Sequence, residues 1–252
     1  LLAIKDGIEG NCDVGKGKDG LYKFRRRYCE ECSYYPDCIR NGWKVVVIPK
    51  WEKKEVMELI REINQKFNIA QEFLLYVGLK KPHKNLIRLI KSFEILRKKR
   101  KVDVKLVIVG KMDPRYTEIA SLVEKLGLEK EVIFTGYISN DDLILLYNAA
   151  RAFVFPSLYE GFGLPPLESM ACGVPVVSSN AGSLVEVLGD AALVFNSLDI
   201  NDMSDKMYQI ISDEGLRKEI IEKGLKRVKK FSWEKCAEET LRVYEEVYNA
   251  KN

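Results

Sequence analysis

The fold class can be read from residues 152–179, AFVFPSLYEGFGLPPLESMACGVPVVSS. An apolar run comes first, a loop with two glycines follows it, and a helical segment then leads to a second apolar run. Gly173 and Pro175 are expected to end the helix, because glycine tolerates left-handed backbone angles and proline has no N–H to donate. This order predicts two parallel strands joined by a right-handed helical crossover.

The same alternation of strand and helix continues on both sides of this unit. Further apolar runs occupy residues 73–78, 105–110, 132–136 and 191–195, and runs dense in Val, Ile and Phe suit strands covered on both faces. Helical stripes lie between the runs and comprise Leu86, Leu89, Ile90, Phe93 and Leu96, then Ile119, Leu122, Val123 and Leu126. The sequence therefore predicts an α/β fold with an open, doubly wound parallel sheet, whose ligands bind beyond the carboxyl ends of the strands.

Several helix ends are also predicted. Gly127 suits the end of one helix, and Ser139 or Asn140 can cap the helix that runs to Ala150. The last fifty residues are expected to be helical, with Ser232 as the cap of the final helix. We expect the apolar residues of these last helices to be core or helix-packing residues: Met203, Met207, Ile210 and Ile211, then Trp233, Ala237, Leu241, Tyr244 and Val247.

Composition and charge exclude several protein classes. The 252 residues are 46% hydrophobic and 31% charged, which excludes collagenous, mucin-like and largely disordered proteins. The net charge of +4 is weak evidence for nucleic acid, and we expect no specific nucleic-acid partner. The sequence contains no run of about 18 apolar residues, so it predicts no membrane-spanning helix. The first ten residues do not resemble a signal peptide. Because the first residue is Leu, we expect the chain to be a fragment or trimmed.

Three regions are predicted along the chain. Residues 1–43 form a basic segment that contains cysteines and is either a remnant or an insertion. Residues 44–70 are predicted to be a linker of one strand and one amphipathic helix, and residues 71–252 are predicted to form the main domain.

The loop and helix start at residues 160–168 carry the strongest signal for chemistry. The backbone amides of Gly161, Phe162, Gly163 and Leu164 are expected to point out of the helix start, where they and the helix dipole suit a phosphate or sugar hydroxyls. Glu160 and Glu168 bracket these donors, and carboxylates beside amides suit the vicinal diols of sugars and riboses. Alternatively, Glu168 stabilises the helix dipole and Glu160 is a solvated loop carboxylate.

A second loop, GLKKPHKNL at residues 78–86, is predicted to lie close to the first. It places Lys80, Lys81 and Lys84 at a helix start, where the charges suit a diphosphate. The alternative interpretation is a solvated basic turn. His83 is the only histidine of the chain, and a surface position is a more natural interpretation than a catalytic base.

These motifs resemble the nucleotide-sugar-binding half of the group 1 (family 4) retaining glycosyltransferases. The resemblance covers residues 71–248, and its most specific part is EGFGLPPLE with glutamates eight residues apart. The K-P-H-K-N turn resembles mannosyltransferase-like members. The resemblance implies that the main domain is the Rossmann-like C-terminal half of a GT-B fold.

The resemblance also implies roles for particular residues. Glu160 and Lys84 are expected to be catalytic, Glu160 at the hydroxyls of the transferred sugar and Lys84 at the diphosphate. Glu168 is expected to hold the ribose. Further substrate-binding residues are implied at Gly78, Lys80, Lys81, His83, Gly110, Lys111, Tyr137, Ile138, Gly161, Phe162, Gly163 and Leu164. Leu79 stands where many members of the family have an arginine. Other positive groups must therefore supply the charge that this arginine would provide.

The implied function is retaining transfer of a hexose, with mannose favoured, to a glycan or lipid-linked acceptor in polysaccharide biosynthesis. GDP-mannose is the favoured donor and UDP-sugars come next, and no metal is expected to be required. Residues 1–50 are too short for the family's acceptor domain, so we expect this chain to be inactive alone. Two alternatives are a non-catalytic module that binds nucleotide sugars and another phosphate-binding α/β enzyme, such as an epimerase.

The cysteines and the basic run near the N-terminus predict a separate feature. The spacing of four cysteines favours a structural zinc site formed by Cys12, Cys29, Cys32 and Cys38. An iron–sulfur cluster, disulfides or free thiols are the alternatives. Cys172 and Cys236 are expected to be buried in helices. The run KGKDGLYKFRRR at residues 16–27 suits a solvated arm, and contact with anionic lipid or nucleic acid is the alternative. We therefore expect a cytoplasmic protein that is either soluble or peripheral on the inner face of the membrane.

Overall fold

The computed structural model describes residues 61–111 and 116–250. Helical residues 61–67 precede six parallel strands that form one sheet in the order β3-β2-β1-β4-β5-β6. The strands are β1 (Phe73–Val77), β2 (Lys105–Val109), β3 (Val132–Gly136), β4 (Ala152–Phe155), β5 (Val176–Ser179) and β6 (Ala192–Phe195). This order confirms the doubly wound parallel sheet, because the chain builds outward in both directions from the central pair β1 and β4.

Helices alternate with the strands and cover the sheet. A 3₁₀ turn (Pro82–Lys84) precedes the first of them. The helices are α1 (Leu86–Lys98), α2 (Glu118–Lys125), α3 (Asn140–Ala149), α4 (Leu164–Ala171), α5 (Leu184–Leu188), α6 (Ile200–Ser212), α7 (Glu214–Val228) and α8 (Trp233–Asn249). All four residues of β4 and of β5 are buried, as expected for central strands covered on both faces.

Most predicted helix faces and caps are confirmed. All five apolar residues of the α1 stripe are buried, as are Met203, Met207 and Ile210 of α6, whereas Leu122 of α2 and Leu126, which follows that helix, are half-buried. Ser139 caps α3, since its hydroxyl accepts the Asp142 N–H at 3.1 Å. Ser232 caps α8 in the same way, by accepting the Lys235 N–H.

The expected burial of the last helix is wrong. No residue of α8 is buried, Ala237 is exposed, and four larger side chains are at least half exposed: Trp233, Leu241, Tyr244 and Val247. Cys236 is exposed for the same reason. Helical periodicity reports that one face of α8 is apolar, but it does not report whether a partner surface is present.

Some predictions lie outside the described residues. These are the cysteines at 12, 29, 32 and 38, the basic run at 16–27 and the linker strand at 45–49, so the zinc site stays a prediction. In the part of the chain that the structure describes, no helix is long and apolar enough to cross a membrane.

Candidate functional site

The sheet order creates a crevice between the two central strands. After β1 the chain turns toward α1 and β2, and after β4 it turns the other way, toward α4 and β5. The two loops therefore diverge at the carboxyl ends of these strands, which is where ligands bind in open α/β sheets. Both loops singled out in the sequence lie here, because residues 78–85 follow β1 and residues 156–163 follow β4.

Asn85 ties the two loops together. Its side-chain amide donates to the Pro156 carbonyl at 2.9 Å and to the Ser197 carbonyl at 2.7 Å, and the residue is only 3% exposed. Its φ of 60° is left-handed, which asparagine tolerates better than most residues. The Leu158 N–H adds a third bond by donating to the His83 carbonyl at 2.7 Å. These hydrogen bonds hold the loops after β1 and β4 in place on the two sides of the crevice.

Lys84 and Glu160 meet across this crevice. The Lys84 Nζ lies 2.6 Å from a Glu160 carboxylate oxygen, and the two side chains are 16% and 13% exposed. The same ammonium lies 5.5 Å from the centre of the Phe155 ring, and the Ser183 hydroxyl donates to the Glu160 carbonyl at 3.0 Å. The structure thus brings together the two residues expected to be catalytic.

The start of α4 presents backbone N–H donors that have no partner within the helix. Gly163 precedes the helix with a left-handed φ of 96°, and a Cβ there would lie 2.5 Å from Leu184, so glycine is required. Pro165 and Pro166 carry no N–H, which leaves the Leu164 amide, with those of the two residues before it, to donate at the helix start. A Cβ on Gly161 would meet open space.

Glu168 lies further along α4 and is half-buried. Its carboxylate accepts a hydrogen bond from the Tyr147 hydroxyl at 2.9 Å. Since no acidic residue occupies the first turn of α4, Glu168 is too far along the helix for a strong dipole interaction. One turn later, burial and the charge of Glu168 raise the pKa of the Cys172 thiol to about 12.

Three other polar residues of the loop after β1, Lys80, Lys81 and His83, have different surroundings. Lys80 is 1% exposed, and its Nζ donates to the Gly110 carbonyl at 2.7 Å and lies 5.1 Å from the centre of the Phe134 ring. Burial lowers the pKa of this ammonium to about 8. Lys81 and His83 are exposed. A solvated basic turn is therefore wrong for Lys80, and its ammonium is already bonded within the protein.

The remaining residues that are predicted to bind substrate lie at the ends of β2 and β3. A Cβ on Gly110 would lie 2.1 Å from the Gly78 carbonyl oxygen, so close packing of two loops explains this glycine without a ligand. Lys111 is exposed, Tyr137 is 84% exposed and Ile138 is half-buried. Their contact with a base stays a prediction.

Three positioning residues were not singled out in the sequence: Asn85, Tyr147 and Ser183. Asn85 stands at the end of the K-P-H-K-N turn, and an asparagine before a helix is a signal for a left-handed residue. Tyr147 and Ser183 gave no such signal, because their partners are distant in sequence.

Among the described residues, no group of three or more His, Cys, Asp or Glu side chains could hold a metal ion. Asp142, in the first turn of α3, accepts a hydrogen bond from the Lys66 ammonium at 2.7 Å, which lowers the pKa of the carboxyl. A carboxylate at this position also stabilises the helix dipole.

Known proteins share sequence similarity with the part of the chain that forms this site. The sequence model of the family "Glycosyl transferases group 1" matches residues 58–227. O-antigen chain mannosyltransferase B of Escherichia coli is 40% identical over 181 residues, which are 71% of this chain and 48% of that protein. The chain thus spans about half the length of this curated relative.

Two solved structures share the fold. Sucrose-phosphate synthase from Thermosynechococcus elongatus aligns with a TM-score of 0.65 and 28% identity, over 75% of this chain and 49% of that one. The C-terminal domain of a group 1 glycosyl transferase from Francisella tularensis aligns with a TM-score of 0.62 and 26% identity, over 71% of this chain and 94% of that one. The described domain therefore corresponds to a unit that has been crystallised separately.

Proposed function

The chain belongs to the group 1 glycosyl transferases, and we propose that its main domain binds a nucleotide sugar for retaining transfer of a hexose. Mannose is the favoured sugar, since the curated relative at 40% identity is named a mannosyltransferase. GDP-mannose is the first donor to test and UDP-sugars are the second. The acceptor is a glycan or a lipid-linked molecule.

The pair of Lys84 and Glu160 at the crevice carries this proposal. A cation 2.6 Å from a carboxylate, beside the open start of α4, offers groups for both parts of a nucleotide sugar. The ammonium and the amides suit the diphosphate, whereas the carboxylate suits sugar hydroxyls and would repel a phosphate. A site for a simple phosphate would not need Glu160.

The residues act mainly on the leaving group. As the bond between the anomeric carbon and the diphosphate breaks, negative charge grows on the diphosphate oxygens. Lys84 and the amides near Leu164 stabilise that charge, and the loop that carries Lys84 is held in place by the hydrogen bonds of the neighbouring Asn85 side chain. Glu160 holds the sugar hydroxyls. The acceptor hydroxyl oxygen forms the new bond to the anomeric carbon on the face that the diphosphate leaves, and its proton passes to a departing diphosphate oxygen.

A panel of donors tests the proposal. Purified chain is heated with GDP-mannose, GDP-glucose, UDP-glucose and ADP-glucose, with and without EDTA. A donor at 100 times its Kd should stabilise the fold by about 2.7 kcal/mol, and EDTA should not change the shift if no metal is required. Glu160→Ala and Glu168→Ala should each reduce the shift, whereas Glu129→Ala, at an exposed residue after α2, should not.

Two results would overturn the proposal. The first is the absence of a shift with every donor. The second is an unchanged shift in both the Glu160 and the Glu168 variants, which would place the ligand elsewhere and favour another phosphate-binding α/β function.

Transfer itself is the second part of the proposal. Because the chain spans about half of its curated relative, we propose that donor binding lies in this chain and that transfer requires an acceptor-binding half. Radiolabelled mannose should pass to a glycan acceptor only when such a half is supplied. Transfer by the purified chain alone would contradict this division.

A further inference from the structure

Tyr147 reaches Glu168 from a different part of the fold. It lies on α3, whereas Glu168 lies on α4, and its hydroxyl is 2.9 Å from a Glu168 carboxylate oxygen. The tyrosine is 0% exposed, and its ring packs against Phe153 of β4 at 5.6 Å between ring centres. The sheet therefore holds the hydroxyl in place.

This hydroxyl can act only as a fixed donor at ordinary pH. Burial first, and the nearby charge of Glu168 second, raise the pKa of Tyr147 well above its ordinary value. A phenol has one proton to donate, and the other acceptor in reach, the Pro165 carbonyl, lies at 3.4 Å. The proton is therefore directed at the carboxylate.

We propose that Tyr147 is a positioning residue that orients Glu168 for the two hydroxyls of the donor's ribose. This inference rests on the proposed function and on the role that the family resemblance implies for Glu168, which is to hold the ribose. A carboxylate has about four acceptor sites, so the bond from Tyr147 occupies only one of them and is compatible with bonds from ribose hydroxyls. Without that bond, the carboxylate loses a donor fixed by the sheet, and more of the cost of orienting it falls on ligand binding.

The test compares two ligands that differ only in the ribose hydroxyls. The Kd of the nucleoside diphosphate that the panel selects is measured by calorimetry beside the Kd of its 2′,3′-dideoxy analogue. Wild-type chain should prefer the ribose form by about 10- to 100-fold, as expected for hydrogen bonds to a charged acceptor. Tyr147→Phe should reduce this preference about three- to tenfold and leave the Kd of the dideoxy analogue unchanged.

Controls separate orientation from folding. Tyr244→Phe makes the same chemical change at an exposed position of α8 and should preserve the preference. Glu168→Ala should abolish it, and adding Tyr147→Phe to that variant should have no further effect, because both act through one carboxylate. The conservative Glu168→Gln keeps an acceptor and should retain part of the preference.

Each outcome decides the proposal. If Tyr147→Phe weakens both ligands equally, or changes neither, Tyr147 does not orient Glu168 and the inference is wrong. If Glu168→Ala keeps the full preference for ribose, the ribose assignment of the proposed function is wrong as well. If wild-type chain binds neither ligand, the proposed function itself fails.

Discussion

The Lys84 ammonium lies 2.6 Å from the Glu160 carboxylate, although each residue belongs to a loop after a different central strand. This pair closes the crevice between β1 and β4 with two opposite charges that are both mostly buried. A diphosphate that enters must compete with Glu160 for the ammonium. The two residues expected to serve different parts of the donor therefore bind each other in this structure.

This competition makes a prediction for Glu160→Gln. The variant frees Lys84 and should tighten binding of the free nucleoside diphosphate about two- to tenfold, the range that a partly exposed ion pair supports. The same variant should weaken binding of the nucleotide sugar relative to the free nucleotide, because Glu160 no longer holds the sugar hydroxyls. Calorimetry with both ligands measures the two changes.

Glu129→Gln is the matched control, since it removes one negative charge at an exposed position. It should leave both affinities unchanged. Equal weakening of both ligands by Glu160→Gln would contradict the competition and would mean that Glu160 holds Lys84 in its binding position.

Substitution of two glycines of the site, Gly161 and Gly110, should have opposite effects on the stability of the fold. A Cβ on Gly161 would meet open space, so Gly161→Ala should leave the free energy of unfolding within about 0.5 kcal/mol of wild type. If the donor approaches the backbone here, the added methyl should weaken its binding at least tenfold. Thermal unfolding and donor calorimetry on the same sample check both parts, and unchanged donor affinity would place the ligand away from this loop.

Gly110→Ala is the counterpart. Its Cβ would lie 2.1 Å from the Gly78 carbonyl oxygen, at a φ of 135°, so the loops after β1 and β2 must separate. The variant should lose about 2–4 kcal/mol of stability. Stability equal to that of Gly161→Ala would contradict this account of Gly110.

The sheet could be predicted from the sequence because its signals are local. Runs such as FLLYV, now β1, are too apolar for a half-exposed strand, and the helices between them show the period of 3.6 residues. The order of the strands gave no local signal. It follows from pairing between segments far apart in the chain, such as Leu74 with Ala152.

The candidate site was predictable where the signal lay in one loop. The glycines and glutamates of residues 160–168 indicated donors beside acceptors, and the structure puts these residues at the crevice. The sequence could not distinguish Lys80 from Lys81, because adjacent lysines differ only in the direction of their side chains. It also could not reveal Tyr147, whose partner Glu168 is 21 residues away.

Lys80 makes a prediction about pH. Burial lowers the pKa of this ammonium from the ordinary 10.5 to about 8. Between these values the unfolded chain holds a proton that the folded chain has released, so Lys80 makes the free energy of unfolding rise as the pH increases from 8 to 10.5. The stability of wild type relative to Lys80→Met should therefore rise across this window by up to roughly 3 kcal/mol.

The stability of wild type must be compared with that of Lys80→Met, because other groups of the chain also titrate in this pH range. Burial raises the pKa of Cys172, Tyr76 and Tyr147, and these groups destabilise the fold as the pH rises above their ordinary values. They are present in both proteins and cancel in the difference. Lys81→Met changes an exposed neighbour and should follow the wild-type profile, and a flat difference for Lys80→Met would contradict the lowered pKa.

Removal of α8 is the last prediction. The helix has 17 residues and buries none of them, so a chain that ends at Ser232 should keep its melting temperature within about 3 °C of wild type. Ser232 is the place to cut, because Phe231 packs edge-on against Phe162 at 5.7 Å and should be kept. The shortened chain should also aggregate less, since the exposed apolar face of α8 is removed.

A chain cut after Asp213 is the control, because it also removes α7. That helix buries Ile220, Gly224 and Val228, and a Cβ on Gly224 would lie 3.1 Å from Met170 of α4, so its loss should unfold the domain. Circular dichroism melts of the three chains give the comparison. If cutting at Ser232 costs more than about 2 kcal/mol, α8 covers part of the sheet domain after all, and the exposure of its apolar face is not the solution state.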